Sequence, residues 1–242
     1  MDPFDKAPDE DTRPTLLLPK KKPRPPKPAV EDFEPEEVIN GVRIFRSRAC
    51  RRRWQFGLLL NAHGLMYGRA VEVGTDRGEF ASRFLETWRG GEIMCVDHWK
   101  TYGDENLPWK DREGDFHSAI ARLSKYGWRA RLVREEAMRA AAMVTGKIVF
   151  VYIDASHTFK DVKEDCRVWW NRLTKPGIIG GHDWHMAPVR DAVISFLKSK
   201  KINRVYRVGC PMGSPSWYTY KDPTTKDIPW DVGGWVGRYS EH

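Results

Sequence analysis

From Gly68 onward, short runs of β-branched and apolar residues alternate with amphipathic stretches, and most of the runs end on an acid, a glycine or a histidine. Ala70-Val71-Glu72-Val73 runs into Gly74, and Phe80, Ala81, Phe84, Leu85 and Trp88 follow at the spacing of one helix face. Ile93-Met94-Cys95-Val96 ends at Asp97, and Arg131-Leu132-Val133 precedes Glu135 and Glu136. The run 148–153 is apolar at every position, as suits a central parallel strand buried on both faces, and it ends at Asp154. Ile178-Ile179 continues into Gly180-Gly181-His182-Asp183, and 204–208 and 216–220 read as an antiparallel hairpin. Between the strands, Phe116, Ile120 and Leu123 predict one helix face. Phe159, Val162, Cys166, Trp169, Trp170 and Leu173 predict another, and Val189, Ala192, Val193, Phe196 and Leu197 a third. Such alternation predicts an α/β, doubly wound, mostly parallel sheet with a C-terminal antiparallel hairpin.

Residues 1–32 are different. The stretch PKKKPRPPKP at 19–28 forbids helix, so the segment reads as a disordered basic, proline-rich arm. The domain then spans 33–242, with a helical region expected over 33–67. That region carries Arg46, Arg48, Arg51, Arg52 and Arg53 ahead of Trp54, a cluster that suits phosphates with one aromatic for stacking, or a solvated surface. The net charge is +8 over 242 residues, of which the first 30 supply +2, so the basic excess is spread over the body. No apolar run approaches the roughly 20 residues of a membrane-spanning helix. No secretory signal is readable, and a cytoplasmic protein is expected. The four cysteines are too scattered for a zinc motif or a disulfide framework.

In doubly wound sheets ligands bind beyond the carboxyl ends of the strands. The loop Glu72-Val73-Gly74-Thr75-Asp76-Arg77-Gly78 has G-x-x-x-G spacing instead of the G-x-G-x-x-G of a pyrophosphate site. Its internal acid disfavours a diphosphate and suits a cationic ligand. Asp97 lies 19 residues beyond Gly78, near the offset at which an acid reaches ribose hydroxyls.

These residues resemble class I S-adenosylmethionine-dependent methyltransferases. The block Tyr152-Ile153-Asp154-Ala155-Ser156-His157-Thr158-Phe159, with Asp165, Trp169, Lys175-Pro176-Gly177 and Gly180-Gly181-His182-Asp183-Trp184, is similar to the subgroup that includes metal-dependent O-methyltransferases of macrolide sugars. The resemblance spans roughly 68–200 and implies a seven-stranded Rossmann-like sheet. It implies S-adenosyl-L-methionine held by Glu72, Gly74, Thr75 and Gly78 at the methionine end, with Asp154 nearby. Asp97 would hold the ribose, His98 and Trp99 would flank the adenosine, and Glu135 or Glu136 would approach the adenine. It further implies magnesium on Asp154 and Asp183, with His182 standing where the sugar enzymes carry an acid, and His157 as general base. The implied partner is a small-molecule hydroxyl acceptor, with the segment 100–114 (Tyr102, Trp109, Lys110) and Trp54 as walls of its pocket. Two other readings remain open. One is a nucleic-acid methyltransferase using the arm and the arginine cluster, although no Asn-Pro-Pro-Tyr or Asp-Pro-Pro-Tyr motif follows the fourth strand. The other is a non-catalytic nucleic-acid-binding or assembly protein on the same fold.

Overall fold

The computed structural model describes residues 34–100, 111–209, 214–225 and Asp227. The expected arm and the pocket wall at Tyr102, Trp109 and Lys110 lie outside the described residues. Nine strands form one sheet: β1 (Glu37–Ile39), β2 (Val42–Arg46), β3 (Arg69–Val73), β4 (Ile93–Asp97), β5 (Ala130–Arg134), β6 (Ile148–Ile153), β7 (Leu173–Gly181), β8 (Arg204–Val208) and β9 (Ser216–Tyr220). Their order is β1-β2-β8-β9-β7-β6-β3-β4-β5. The last seven in that order are the expected sheet. β3 to β7 run parallel, and β9 pairs antiparallel with both β7 and β8.

The two additional strands correct the expectation of a helical region at 33–67. Val38-Ile39 and Val42-Arg43-Ile44 flank Asn40-Gly41, whose φ angles of 50° and 82° are those of a two-residue primed turn. β-Branched residues on either side of Asn-Gly favour the hairpin, and β2 then pairs with β8, so that a hydrogen-bonding edge is covered. Helix is confined to a 3-10 turn at Arg53–Gln55 and to α1 (Phe56–Ala62).

The other helices are α2 (Glu79–Thr87), α3 (Arg112–Leu123), α4 (Ala137–Met143), α5 (Phe159–Arg172) and α6 (Ala187–Ser199). They divide the core into two layers, because alternate residues of each strand face opposite sides. Val71, Val73, Val151, Ile153 and Ile179 pack with α4, α5 and α6. Ala70, Phe150, Tyr152 and Ile178 pack with α1 and α2, where Phe80 stacks on Tyr152 at 3.8 Å between centroids. Within α3 the buried residues are Asp115, Ala119 and Leu123, while Ile120 is exposed, so the expected face is rotated. Ion pairs from Arg77 and Arg112 hold Asp115 inside.

On α5, Phe159 is more exposed than its spacing predicts, and Asp165 is buried instead. Burial, with Asp161 and Glu164 nearby, pushes the Asp165 carboxyl up to about 7. Between about pH 4 and 7 the unfolded chain releases this proton while the fold retains it, so stability falls as pH rises through that window. Asp165→Asn is expected to recover roughly 2–4 kcal/mol at pH 8 and almost nothing at pH 4. Melting curves at the two pH values measure the difference; equal shifts at both would contradict the assignment.

Candidate active site at the strand ends

Chain order reverses between β3 and β6: from β3 the chain winds out through β4 and β5, then returns to β6 on the other side. The carboxyl ends of these two strands touch. Gly74 follows β3 at φ 89°, and a Cβ there would stand 2.2 Å from the Asp154 carbonyl oxygen. This glycine is therefore required by the close approach of two strand ends as well as by its left-handed backbone. Two residues back, Glu72 is fully buried, and burial pushes its carboxyl well above the usual range, with Asp154 adding to the shift. Its Oε2 is buried without a hydrogen-bond partner among the described residues. An orphaned buried carboxylate oxygen is costly unless a ligand completes it.

Asp97, at the end of β4, accepts the backbone N–H groups of Asp76 (3.0 Å) and Trp99 (2.8 Å). The guanidinium of Arg112 donates to both of its oxygens, at 2.9 and 3.0 Å. Arg112 also pairs with Asp76 and Asp115, and Arg77 with Asp115. The acid inside the glycine loop is thus already neutralised from α3, which corrects its reading as an open site for a cationic ligand. Trp99 is buried and donates its indole N–H to the Asp76 carbonyl, so it braces the loop from inside. His98 accepts the Lys100 amide at Nδ1. Glu135 donates its amide to the Asp97 carbonyl and accepts the Glu136 amide on its carboxylate, which places both acids beside the β4 end.

The third group gathers at the ends of β6 and β7. Asp154, His182 and Asp183 bring ligand atoms within 4.8 Å of one another. His182 Nδ1 lies 3.4 Å from Asp154 and 3.3 Å from Asp183. Burial opposes charge on this imidazole, but the two carboxylates outweigh it and raise its pKa to about 9. His157 Nε2 lies 2.7 Å from Asp183 Oδ2. That hydrogen bond raises the His157 pKa, while His157 and His182, against the effect of burial, hold Asp183 well below the usual carboxylate range. Half of the His157 side chain is exposed, against 13% for Asp183, so the acid orients a ring that faces outward. Asp183 sits at φ 55°, a strained backbone for a non-glycine residue and one that concentrates at functional sites. Asp154, His157, His182 and Asp183 line one cleft with Trp217.

Two site residues were not singled out from the sequence. Arg112 is the counter-ion of Asp97, and Arg53 reaches from the 3-10 turn to Asp154 at 3.3 Å, near the Tyr152 hydroxyl. Arg53 was legible only as one of five arginines in a basic run. Its neighbour Trp54 carries the guanidinium groups of Arg52 and Arg83 over its ring, at 5.5 and 5.0 Å from the centroid. No helix among the described residues is long and apolar enough to cross a membrane.

A doubly wound sheet with a C-terminal antiparallel strand inserted beside β7, and acids at the ends of its switch-point strands, defines the Rossmann-like class I methyltransferase fold. Residues 71–184 match the methyltransferase domain family Methyltransf_24, and that segment holds Glu72, Gly74, Asp97, Asp154, His157, His182 and Asp183, while Arg53 and Trp217 lie outside it. Over its described residues the chain has the class I methyltransferase fold. Solved structures with the same fold include the O-methyltransferase NovP, 13% identical with a TM-score of 0.51 over 68% of this chain and 76% of that one. A protein of Corynebacterium glutamicum is 14% identical with a TM-score of 0.52 over 70% and 79%. Cofactor-bound Rv0187 from MTB is 13% identical with a TM-score of 0.50 over 69% and 80%. An uncharacterized protein of Sinorhizobium fredii, y4gI, is 29% identical over 140 residues, which are 56% of this chain and 15% of that protein's length.

Proposed function

We propose that the protein transfers the methyl group of S-adenosyl-L-methionine to a hydroxyl oxygen of a small-molecule acceptor. The observation that carries this reading is the 2.7 Å His157–Asp183 pair, opening into the cleft beside Asp154 and next to the β3 end. The cofactor, when bound, supplies an electrophilic methyl on a sulfonium. The residues fit it: Glu72 offers a buried acceptor without a partner among the described residues, and Asp97 stands at the ribose offset, where a ribose would displace Arg112 from a carboxylate that already accepts four hydrogen bonds. His157, steered by Asp183, takes the proton of the acceptor hydroxyl as the oxygen attacks. Most of the remaining acceleration is alignment of oxygen and methyl in a site shielded from water. The O-methyltransferase activity of NovP supports the choice of oxygen as the acceptor atom.

The cluster at Asp154, His182 and Asp183 also fits a divalent cation, with two carboxylate oxygens and one imidazole nitrogen as donors. When bound, such a cation would polarise the acceptor oxygen. The nitrogen donor suits manganese or zinc better than magnesium, which takes oxygen ligands. For His182 to ligate through Nδ1 that nitrogen must carry no proton, whereas the two acids beside it favour the protonated ring.

Trp54, with Arg52 and Arg83 over its ring, favours a second reading, in which the acceptor is a nucleic acid whose phosphates meet these arginines. A methyl-transfer screen of sugar, phenol and nucleoside hydroxyls, run with and without added divalent cation, tests both. Turnover on a small hydroxyl compound supports the proposal. Methylation of RNA or DNA alone, falling steeply with salt, would replace it.

A further inference from the structure

The methyltransferase match begins at residue 71, yet one charged side chain inside the site comes from before it. We propose that Arg53 receives the carboxylate of the cofactor's amino-acid end, so that the segment ahead of the matched domain completes cofactor recognition. This rests on the S-adenosylmethionine reading above.

A ligand with a free amino-acid end brings one positive and one negative charge to the switch point. The buried Oε2 of Glu72 suits the ammonium, because a donor there satisfies an orphaned acceptor. The carboxylate then needs a cation, since Asp154 stands beside the same strand end and would otherwise repel it. Arg112 spends its guanidinium on Asp76, Asp97 and Asp115, and His182 lies between Asp154 and Asp183. Arg53 is engaged differently: one nitrogen makes a long 3.3 Å contact with Asp154, and the group also meets the Tyr152 hydroxyl, with Glu72 in electrostatic range. A planar fork held this loosely can turn two parallel N–H groups towards a carboxylate.

The position of Arg53 is fixed in advance. Gln55 Oε1 accepts the amides of Arg51 and Arg52 at 2.8 and 3.0 Å, and the Trp54 carbonyl accepts the Thr87 hydroxyl at 3.1 Å. Phe56 is fully buried against Phe150 and Tyr152. α1 approaches α2 so closely that a Cβ on Gly57 would stand 2.2 Å from Thr87 Oγ1. The turn that carries Arg53 is therefore clamped to the body, and little ordering remains to be done when the ligand arrives.

Calorimetry with three ligands tests this: S-adenosylhomocysteine, its decarboxylated analogue that keeps the amine, and methylthioadenosine, which lacks the whole amino-acid end. Wild type is expected to prefer S-adenosylhomocysteine over the decarboxylated analogue by ~10–100-fold, the worth of a charged hydrogen bond. Arg53→Gln should erase that preference while leaving methylthioadenosine affinity within about threefold, as expected for a distant, independent contact. Arg53→Lys, which keeps the charge and loses the fork, should restore part of the preference. Equal binding of the first two ligands by wild type overturns the proposal without any variant, as does an undiminished preference in Arg53→Gln. If none of the three binds the folded wild type, it is the cofactor reading that fails.

Discussion

His157→Ala is expected to lower methyl transfer by about 10²–10⁴-fold, the usual worth of a positioned general base. The ring is half exposed and makes its described hydrogen bond to Asp183 at the cleft, so its removal leaves no cavity in the core. Melting temperature and S-adenosylhomocysteine affinity should stay close to wild type, and millimolar imidazole should return part of the lost rate. Asp183→Asn should also be slow, because the amide no longer fixes the ring that faces the acceptor. Measuring initial rates on the best acceptor from the hydroxyl screen decides the matter. A His157→Ala protein with wild-type turnover would leave alignment as the sole source of rate and remove the proton acceptor from the mechanism.

The parallel sheet was legible because its strands are short, β-branched and punctuated by acids, and because 148–153 is apolar on both faces. Asp154, His157, His182 and Asp183 were legible for a related reason: each closes or follows a strand, and adjacent strands carry their ends to one place. The N-terminal hairpin carried its signal in Asn40-Gly41, but the charged residues around it concealed the alternation of Val42 and Ile44. Arg112 and Arg53 were not legible as site residues. Each meets its acid across 15 and 101 positions of chain, and nothing in a local pattern says which arginine of many will turn inward. Long-range pairing of this kind also explains the rotated face of α3, where ion pairs of Asp115 with Arg77 and Arg112 override apolar spacing.

The second large effect is expected at Asp97. Replacing it with Ala removes the acceptor assigned to the ribose hydroxyls, and each charged hydrogen bond lost is worth about 1.5–3 kcal/mol, so cofactor affinity should fall by ~10²-fold or more. Arg112 keeps Asp115 and Asp76, which should hold α3 in place and limit the loss of stability. A calorimetric titration in which Asp97→Ala binds S-adenosylhomocysteine as tightly as wild type would place the nucleoside elsewhere. The most direct measurement for the whole account is a crystal structure with S-adenosylhomocysteine bound. The ribose is expected on Asp97, the amino-acid end between Glu72 and Arg53, and the sulfur directed towards the His157–Asp183 pair. A nucleoside seated away from the β3 and β4 ends, or a sulfur directed away from that pair, would contradict it.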